Sequence, residues 1–217
     1  PIEQVGNTYT LTDDIISKTL EIQKDNIVID GAGHKLQDNN KDWYIFGTGI
    51  SILQHSSIII KNITILGYNN GMNIVQSNNI VVTNNTFINS GVFLTYCKDC
   101  NILDNTFSQN KIAILLAASN NINITKNTLI DNGEGIRLET SPGIVSFVNI
   151  LENSISNNAV NALSALSGPG GGDGTAISMI GSSNVLVANN NIKNANCGIR
   201  LLSCKNNISI YRNSFIS

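Results

Sequence analysis

Charge is scarce in this chain of 217 residues: Asp, Glu, Lys and Arg together make up 13%, and the formal net charge is −2. That excludes a polyanion-binding surface, a highly charged disordered segment and a coiled coil rich in Glu and Lys. Aromatic residues are 6% with a single Trp, too few for the stacking platforms that hold single-stranded nucleic acid. Three prolines exclude a proline-rich linker or a collagen-like chain. The longest purely apolar run, Ile112 to Ala118, is far too short to span a bilayer. No charged n-region followed by an apolar h-region opens the chain. It starts at Pro1 rather than Met, and so reads as a processed product or a fragment.

What is abundant is Asn, about 35 residues, and Ile, about 34. Their arrangement is periodic. Ile80-Val-Val-Thr-Asn-Asn85-Thr-Phe87 is followed by Cys100-Asn-Ile-Leu-Asp-Asn105-Thr-Phe107 and Ile122-Asn-Ile-Thr-Lys-Asn127-Thr-Leu129. Further copies place Asn153, Asn190 and Asn213 at the same point, so successive turn asparagines lie 20, 22, 26, 37 and 23 residues apart. An earlier copy, Ile58-Ile-Ile-Lys-Asn-Ile63-Thr-Ile65, has Ile63 there instead. A second short strand runs in phase: Gly49-Ile-Ser-Ile52, Gly71-Met-Asn-Ile74, Gly91-Val-Phe-Leu94, Gly135-Ile-Arg-Leu138 and Gly198-Ile-Arg-Leu201, with Ala113 and Ala176 opening the other two.

Each ~22-residue repeat holds two or three short runs with period-2 alternation and no helical periodicity. Such strands cannot bury a core alone, but stacked coil over coil they close a continuous one. Gly and Asn at the corners supply positive φ. Identical Asn side chains at the strand spacing predict a hydrogen-bonded ladder through Asn85, Asn105, Asn127, Asn153, Asn190 and Asn213. The expected fold is all-β: a single-stranded, right-handed parallel β-helix of about nine or ten coils, a rod on the order of 45 Å long. It forms one domain, 1–217, with an insertion loop around 159–174.

Tyr9-Thr-Leu-Thr-Asp-Asp-Ile15, Asp25-Asn-Ile-Val-Ile-Asp-Gly-Ala-Gly-His34 and Ile58-Ile-Ile-Lys-Asn-Ile-Thr-Ile65 resemble the start of right-handed parallel β-helix proteins of the NosD-like, carbohydrate-binding-and-sugar-hydrolase type. The later Gly-Ile-x-Leu and Asn-Asn-x-Ile coils extend the resemblance along nearly the whole chain. It implies a secreted or cell-surface protein, common in archaea. The family includes sugar-cleaving enzymes, copper-site accessory proteins and surface proteins, so the resemblance does not choose a function.

Alternation points two columns outward from the Gly-Ile-x-Leu strands. One reads Ser51, Asn73, Phe93, Leu115, Arg137, Ser178, Arg200, and the other Leu53, Val75, Thr95, Ala117, Glu139, Ile180, Leu202. Leu53, Val75, Phe93, Leu115, Ile180 and Leu202 make this face more apolar than solvent alone would select. Three coverings are open: the insertion folding back over it, contact with another chain, or a sugar groove. Arg137, Glu139 and Arg200, with Glu134 and Asp131 at the preceding corner, are the candidate cluster for acid–base work on a polysaccharide. The competing reading is a surface ion pair between Arg137 and Glu139. His34 and His55 lack metal-ligand spacing and His34 closes a structural corner, so no metal site or cofactor is expected.

Cys97 and Cys204 sit at equivalent corners at least four coils apart, about 19 Å at the strand spacing, beyond disulfide reach. Cys100 meets Cys97 only through a tight loop, and Cys197 and Cys204 flank one strand. The thiols are therefore buried and free, or Cys97, Cys197 and Cys204 link neighbouring chains. Sequons at Asn62, Asn84, Asn123 and Asn207 fall on outward columns. Neither end carries an amphipathic capping helix, and uncapped coils invite head-to-tail addition. The expectation is an extracellular or cell-envelope structural solenoid that self-associates into a filament or sheath. A carbohydrate-active lyase, epimerase or glycosidase and a non-catalytic glycan-binding module stand as alternatives. The partners are the chain itself and polysaccharide, with no nucleic acid and no transmembrane segment.

Overall fold

The computed structural model describes residues 1–39, 47–158 and 173–217. Strands of two to six residues alternate among three sheets, so the chain visits each sheet once per coil. The first sheet has ten strands, from Ile2–Val5 to Ile208–Tyr211, the second eight, from Leu20–Ile22 to Cys197–Leu202, and the third nine, from Ile15–Ile16 to Ser214–Ile216. All pairings are parallel except that of Ile2–Val5 with Thr8–Leu11, a hairpin at the N-terminal edge. This is the parallel β-solenoid expected from the repeat.

The inward columns stack apolar residue on apolar residue along most of their length. Ile50, Met72, Val92, Ile114, Ile136 and Ile177 are in register on neighbouring strands and fully buried. Phe87 and Phe107 stack in the third sheet with ring centroids 4.8 Å apart. At ~25 cal/mol per Å² of apolar surface, such columns supply most of the favourable term, and no coil could gather it alone.

The corners explain the asparagine content. Among the described residues 28 non-glycine residues have positive φ, and 12 of them are Asn. Asn tolerates the left-handed region at lower cost than β-branched or bulky residues. The ladder asparagines are a separate set, each one position after a left-handed residue (Asn84, Asp104, Lys126, Glu152, Asn189 and Arg212). Asn85, Asn105, Asn127, Asn153 and Asn190 are buried, and each Oδ1 accepts from the backbone N–H one coil earlier while Nδ2 donates to the next Oδ1. The expected ladder is present, and it starts by accepting from the Ile63 N–H at 3.1 Å.

Two further ladders went unread in the sequence. Asn110 and Asn132 are bonded at 2.9 Å inside another corner, and Asn101, Asn123 and Asn149 are linked at 2.8 Å on the outer face of the first sheet. Among the described glycines, positive φ falls as expected at corners, on Gly6, Gly33, Gly67, Gly174 and Gly181, while the motif glycines have another task. Gly49, Gly71, Gly91 and Gly135 do not have positive φ; a Cβ on any of them would lie within 2.6 Å of a carbonyl oxygen on the next coil. They permit close approach of coils rather than a bend.

Candidate functional site

The outward columns of the second sheet are those expected from alternation. Ser51, Asn73, Phe93, Leu115, Arg137, Ser178 and Arg200 follow one another strand by strand, as do Leu53, Val75, Thr95, Ala117 and Glu139, and then Ile180 with Leu202. Leu53 is 55% and Leu202 48% exposed, while Val75, Phe93, Leu115 and Ile180 are half-buried. Ser178 and Ala117 are buried although they belong to outward columns. The insertion expected to cover this face lies, for 159–172, outside the described residues.

Where the face meets the corner before strand Glu134–Glu139, charge is concentrated. The Arg137 guanidinium stands 2.7 Å from Glu134 Oε2, and Glu134 is completely buried. Glu139, half-buried, is not the partner of Arg137, so the expected surface pair is replaced by a buried one. The contact is ionic rather than a well-aligned hydrogen bond: neither Glu134 oxygen nor Arg137 Nε has a hydrogen-bond partner of good geometry. Burial pushes the Glu134 carboxyl above its ordinary range, opposed by Arg137 and reinforced by the negative charge of Asp173. Two strands away, Arg200 forms an ion pair with Asp173, which also accepts from the Thr175 N–H at 3.0 Å. Burial would raise the Asp173 carboxyl, but Thr175 and Arg200 outweigh it and hold it below the usual range. Asn158 donates to the Thr175 carbonyl at 3.4 Å while its own Oδ1 lacks a partner.

The structure thus places Arg137 and Arg200 on either side of Ser178 and adds Glu134 and Asp173 to them. Glu134 was the detectable signal: it stands in register with Ile112, bringing a charge into a column that is otherwise neutral.

The remaining candidates lie apart from this cluster. Cys97 is buried and its thiol donates to the Ile74 carbonyl at 3.2 Å, which withdraws it from the interchain role expected for it. Cys197 and Cys204 are half-buried, and all four cysteines are free. Of the sequons, Asn62, Asn123 and Asn207 spend Nδ2 on Asp30, Asn101 and Asn184, at 3.0, 2.8 and 3.0 Å. A cavity of about 290 Å³ lined by Ile2, Tyr9, Leu11 and Leu20–Lys24 lies at the first coil, away from the charged residues. Among the described residues no helix is long and apolar enough to cross a membrane.

Three continuous sheets, stacked asparagines and one elaborated outer face define a parallel β-solenoid of the kind that displays a surface along a rod. The sequence profile described as "Periplasmic copper-binding protein (NosD)" matches residues 5–217, and the chain belongs to the NosD family. No curated protein matches. Among solved structures, the chain is similar to the surface protein and adhesin PfbA of Streptococcus pneumoniae, with 17% identity and a TM-score of 0.51 over 97% of this chain. It spans 65% of that structure's length. A second structure of PfbA aligns with 12% identity over 96% of this chain and 71% of that one, but its TM-score of 0.33 is too low to carry a fold argument.

The family description raises copper, and the residues do not fit it. Among the described residues no group of three His, Cys, Asp or Glu converges. His34 faces Asp14 at 3.5 Å, His55 is bonded to Asp25 at 2.9 Å, and both methionines are sealed in the core. A copper centre takes soft or imidazole donors gathered at one point.

Proposed function

We propose that this protein is a secreted or cell-surface structural solenoid whose second sheet is a contact face between copies of the chain. One observation carries the reading: on four successive strands of that sheet the outward columns hold Leu53, Val75, Phe93 and Leu115, and beyond the strand of Arg137 and Glu139 a second pair, Ile180 and Leu202, is in register. Apolar residues scattered singly need no explanation, but aligned on adjacent strands they form the kind of patch that marks an interaction surface. Membership of a family described as periplasmic supports the location, as does the likeness in fold to a surface protein. End-to-end addition of coils and links through Cys197 and Cys204 belong to the same proposal. Electron microscopy and sedimentation of the untagged chain, with and without reductant, test it. Filaments or sheets that a Phe93→Glu, Leu115→Glu double variant abolishes are expected. Isolated rods at all concentrations, unchanged in that variant, overturn it.

A second reading is favoured by the buried Glu134–Arg137 pair within the same face. There the sheet would handle a polysaccharide, with half-buried Glu139 for acid–base work, Arg137 and Arg200 neutralising charge, and buried Glu134 positioning Arg137. Glu139→Gln should then abolish turnover of uronate or neutral polysaccharides while Glu134→Gln weakens it. Absence of any turnover, or equal turnover in both variants, removes the reading.

A further inference from the structure

Cys97 and Cys100 are three residues apart, the spacing of a dithiol motif, and they enter the core from the two sides of one corner. Strand Gly91–Thr95 of the second sheet ends just before Cys97, and Cys100 lies in strand Lys98–Leu103 of the first sheet. Between them Lys98 is exposed and Asp99 takes the left-handed conformation, which reverses the chain and turns both cysteines inward. Cys97 occupies a column held by Ser77 one coil earlier and Ser119 one coil later. It takes over the serine's task, donating from Sγ to the carbonyls of Ile74 at 3.2 Å and Thr95 at 3.5 Å. Cys100 is in register with Ile122, and its thiol donates to the Lys98 carbonyl at 3.2 Å. Both belong to the core cluster, 1% exposed, and the two thiols face one another inside this corner.

We propose that Cys97 and Cys100 are a built-in disulfide site, oxidised outside the cell by a small-molecule or protein disulfide as the chain folds, before the corner closes over them, and that the bond pins the second sheet to the first at this corner. The inference goes beyond the contact-face reading and rests on it only for the presence of an external oxidant; the chemistry can be tested without it. Thiol–disulfide exchange balances the step. The Cys97 thiolate attacks one sulfur of the external disulfide, forming a mixed disulfide and expelling one thiolate. Cys100, losing its proton to solvent, then attacks Cys97 Sγ and expels the second. Two protein thiols are oxidised and the external disulfide is reduced to two thiols. The pair needs no partner chain, unlike any bond through the half-buried Cys197 and Cys204.

The test uses the full chain and a Cys197→Ser, Cys204→Ser variant, each refolded in a redox buffer of reduced and oxidised glutathione and alkylated under denaturing conditions. Mass mapping should find the 97–100 segment unalkylated and lighter by two hydrogens in a monomer, in both proteins, with the change reversed by dithiothreitol. The oxidised form should melt at a higher temperature than the reduced one. In a Cys100→Ser variant the second attack is impossible, and Cys97 should carry glutathione. Full alkylation of both residues after refolding in the oxidising buffer, a persistent glutathione adduct on the native pair, or a crosslinked dimer through Cys97 overturns the proposal. Failure of the contact-face reading would show instead as an unassembled rod, whatever the state of this pair.

Discussion

Replacing Asn127 by Ala takes one rung from the middle of the buried ladder. Its Oδ1 accepts from the Asn105 backbone N–H at 3.0 Å and from Asn105 Nδ2 at 3.1 Å. Its Nδ2 donates to the Ile102 carbonyl at 2.9 Å, the Thr125 carbonyl at 3.2 Å and Asn153 Oδ1 at 3.0 Å. After truncation Asn105 Nδ2 still has Val82 and Leu103, and Asn153 Oδ1 still accepts from the Asn127 N–H. The Asn105 N–H is left without its acceptor, and the Ile102 carbonyl loses a donor, both in a buried corner. One orphaned N–H at ~1–3 kcal/mol and one lost bond at ~1 kcal/mol give a loss of about 3 kcal/mol. For a chain of this size that lowers the melting temperature by roughly 6–12 °C. Thermal unfolding followed by circular dichroism reads it, with Asn101→Ala as comparison. Asn101 accepts one bond on the half-exposed outer ladder, at 2.8 Å, so its loss should cost no more than about 1 kcal/mol. Asn127→Asp separates the two roles: it keeps an acceptor for Asn105 but sets a carboxylate against Asn153 Oδ1, and should worsen as pH rises. A melting temperature for Asn127→Ala within a few degrees of Asn101→Ala would refute the burial reasoning.

The register of the coils was legible because two independent periods constrain it. Alternation decides which side chains point in, and the recurring Asn decides where each coil turns, so a slip by one residue would violate both. Hence Phe93, Leu115 and Arg137 fall on adjacent strands as the columns require. The charged site was harder to read. Alternation pairs neighbours along one strand face, which pointed from Arg137 to Glu139, whereas the corner carries Glu134 back to Arg137. Asp173 reaches Arg200 from the far side of the insertion, a separation that no repeat predicts. The task of the motif glycines is hidden in the sequence for a related reason. A glycine that yields space to the neighbouring coil and one that yields a left-handed turn are identical in sequence, and only the stack of carbonyls beneath Gly91 distinguishes them.

That stack predicts that Gly91→Ala, whose Cβ would lie 2.3 Å from the Ile112 carbonyl oxygen, forces two coils apart. It should cost about 1–3 kcal/mol, measurable as a lower melting temperature, although Ala is the better strand residue. Expression in a glycosylating host should modify Asn84 most fully, since among the described residues its exposed amide alone of the four has no recorded side-chain bond. Peptide mapping checks occupancy, and Asn123, held between Asn101 and Asn149, should be the emptiest site. The dependence of stability on pH has a sign that the corner carboxylates determine. The Ser56 N–H and His55 hold Asp25 below its ordinary pKa; at Asp30, burial is outweighed by Ala32, Asn62 and Lys61, with the same result. Such groups stabilise the fold above their unfolded pKa, about 3.9, and that contribution is lost as pH falls through the folded value. Glu134 runs the other way: raised by burial, its contribution is complete below the unfolded value of about 4.3 and is lost as pH climbs through the folded one. Melting temperatures taken from pH 2 upward should therefore rise first and then sag, and Glu134→Gln should remove the sag while leaving the acid limb in place. An unchanged sag in that variant would mean that the buried carboxyl keeps an ordinary pKa, with Arg137 offsetting its burial in full.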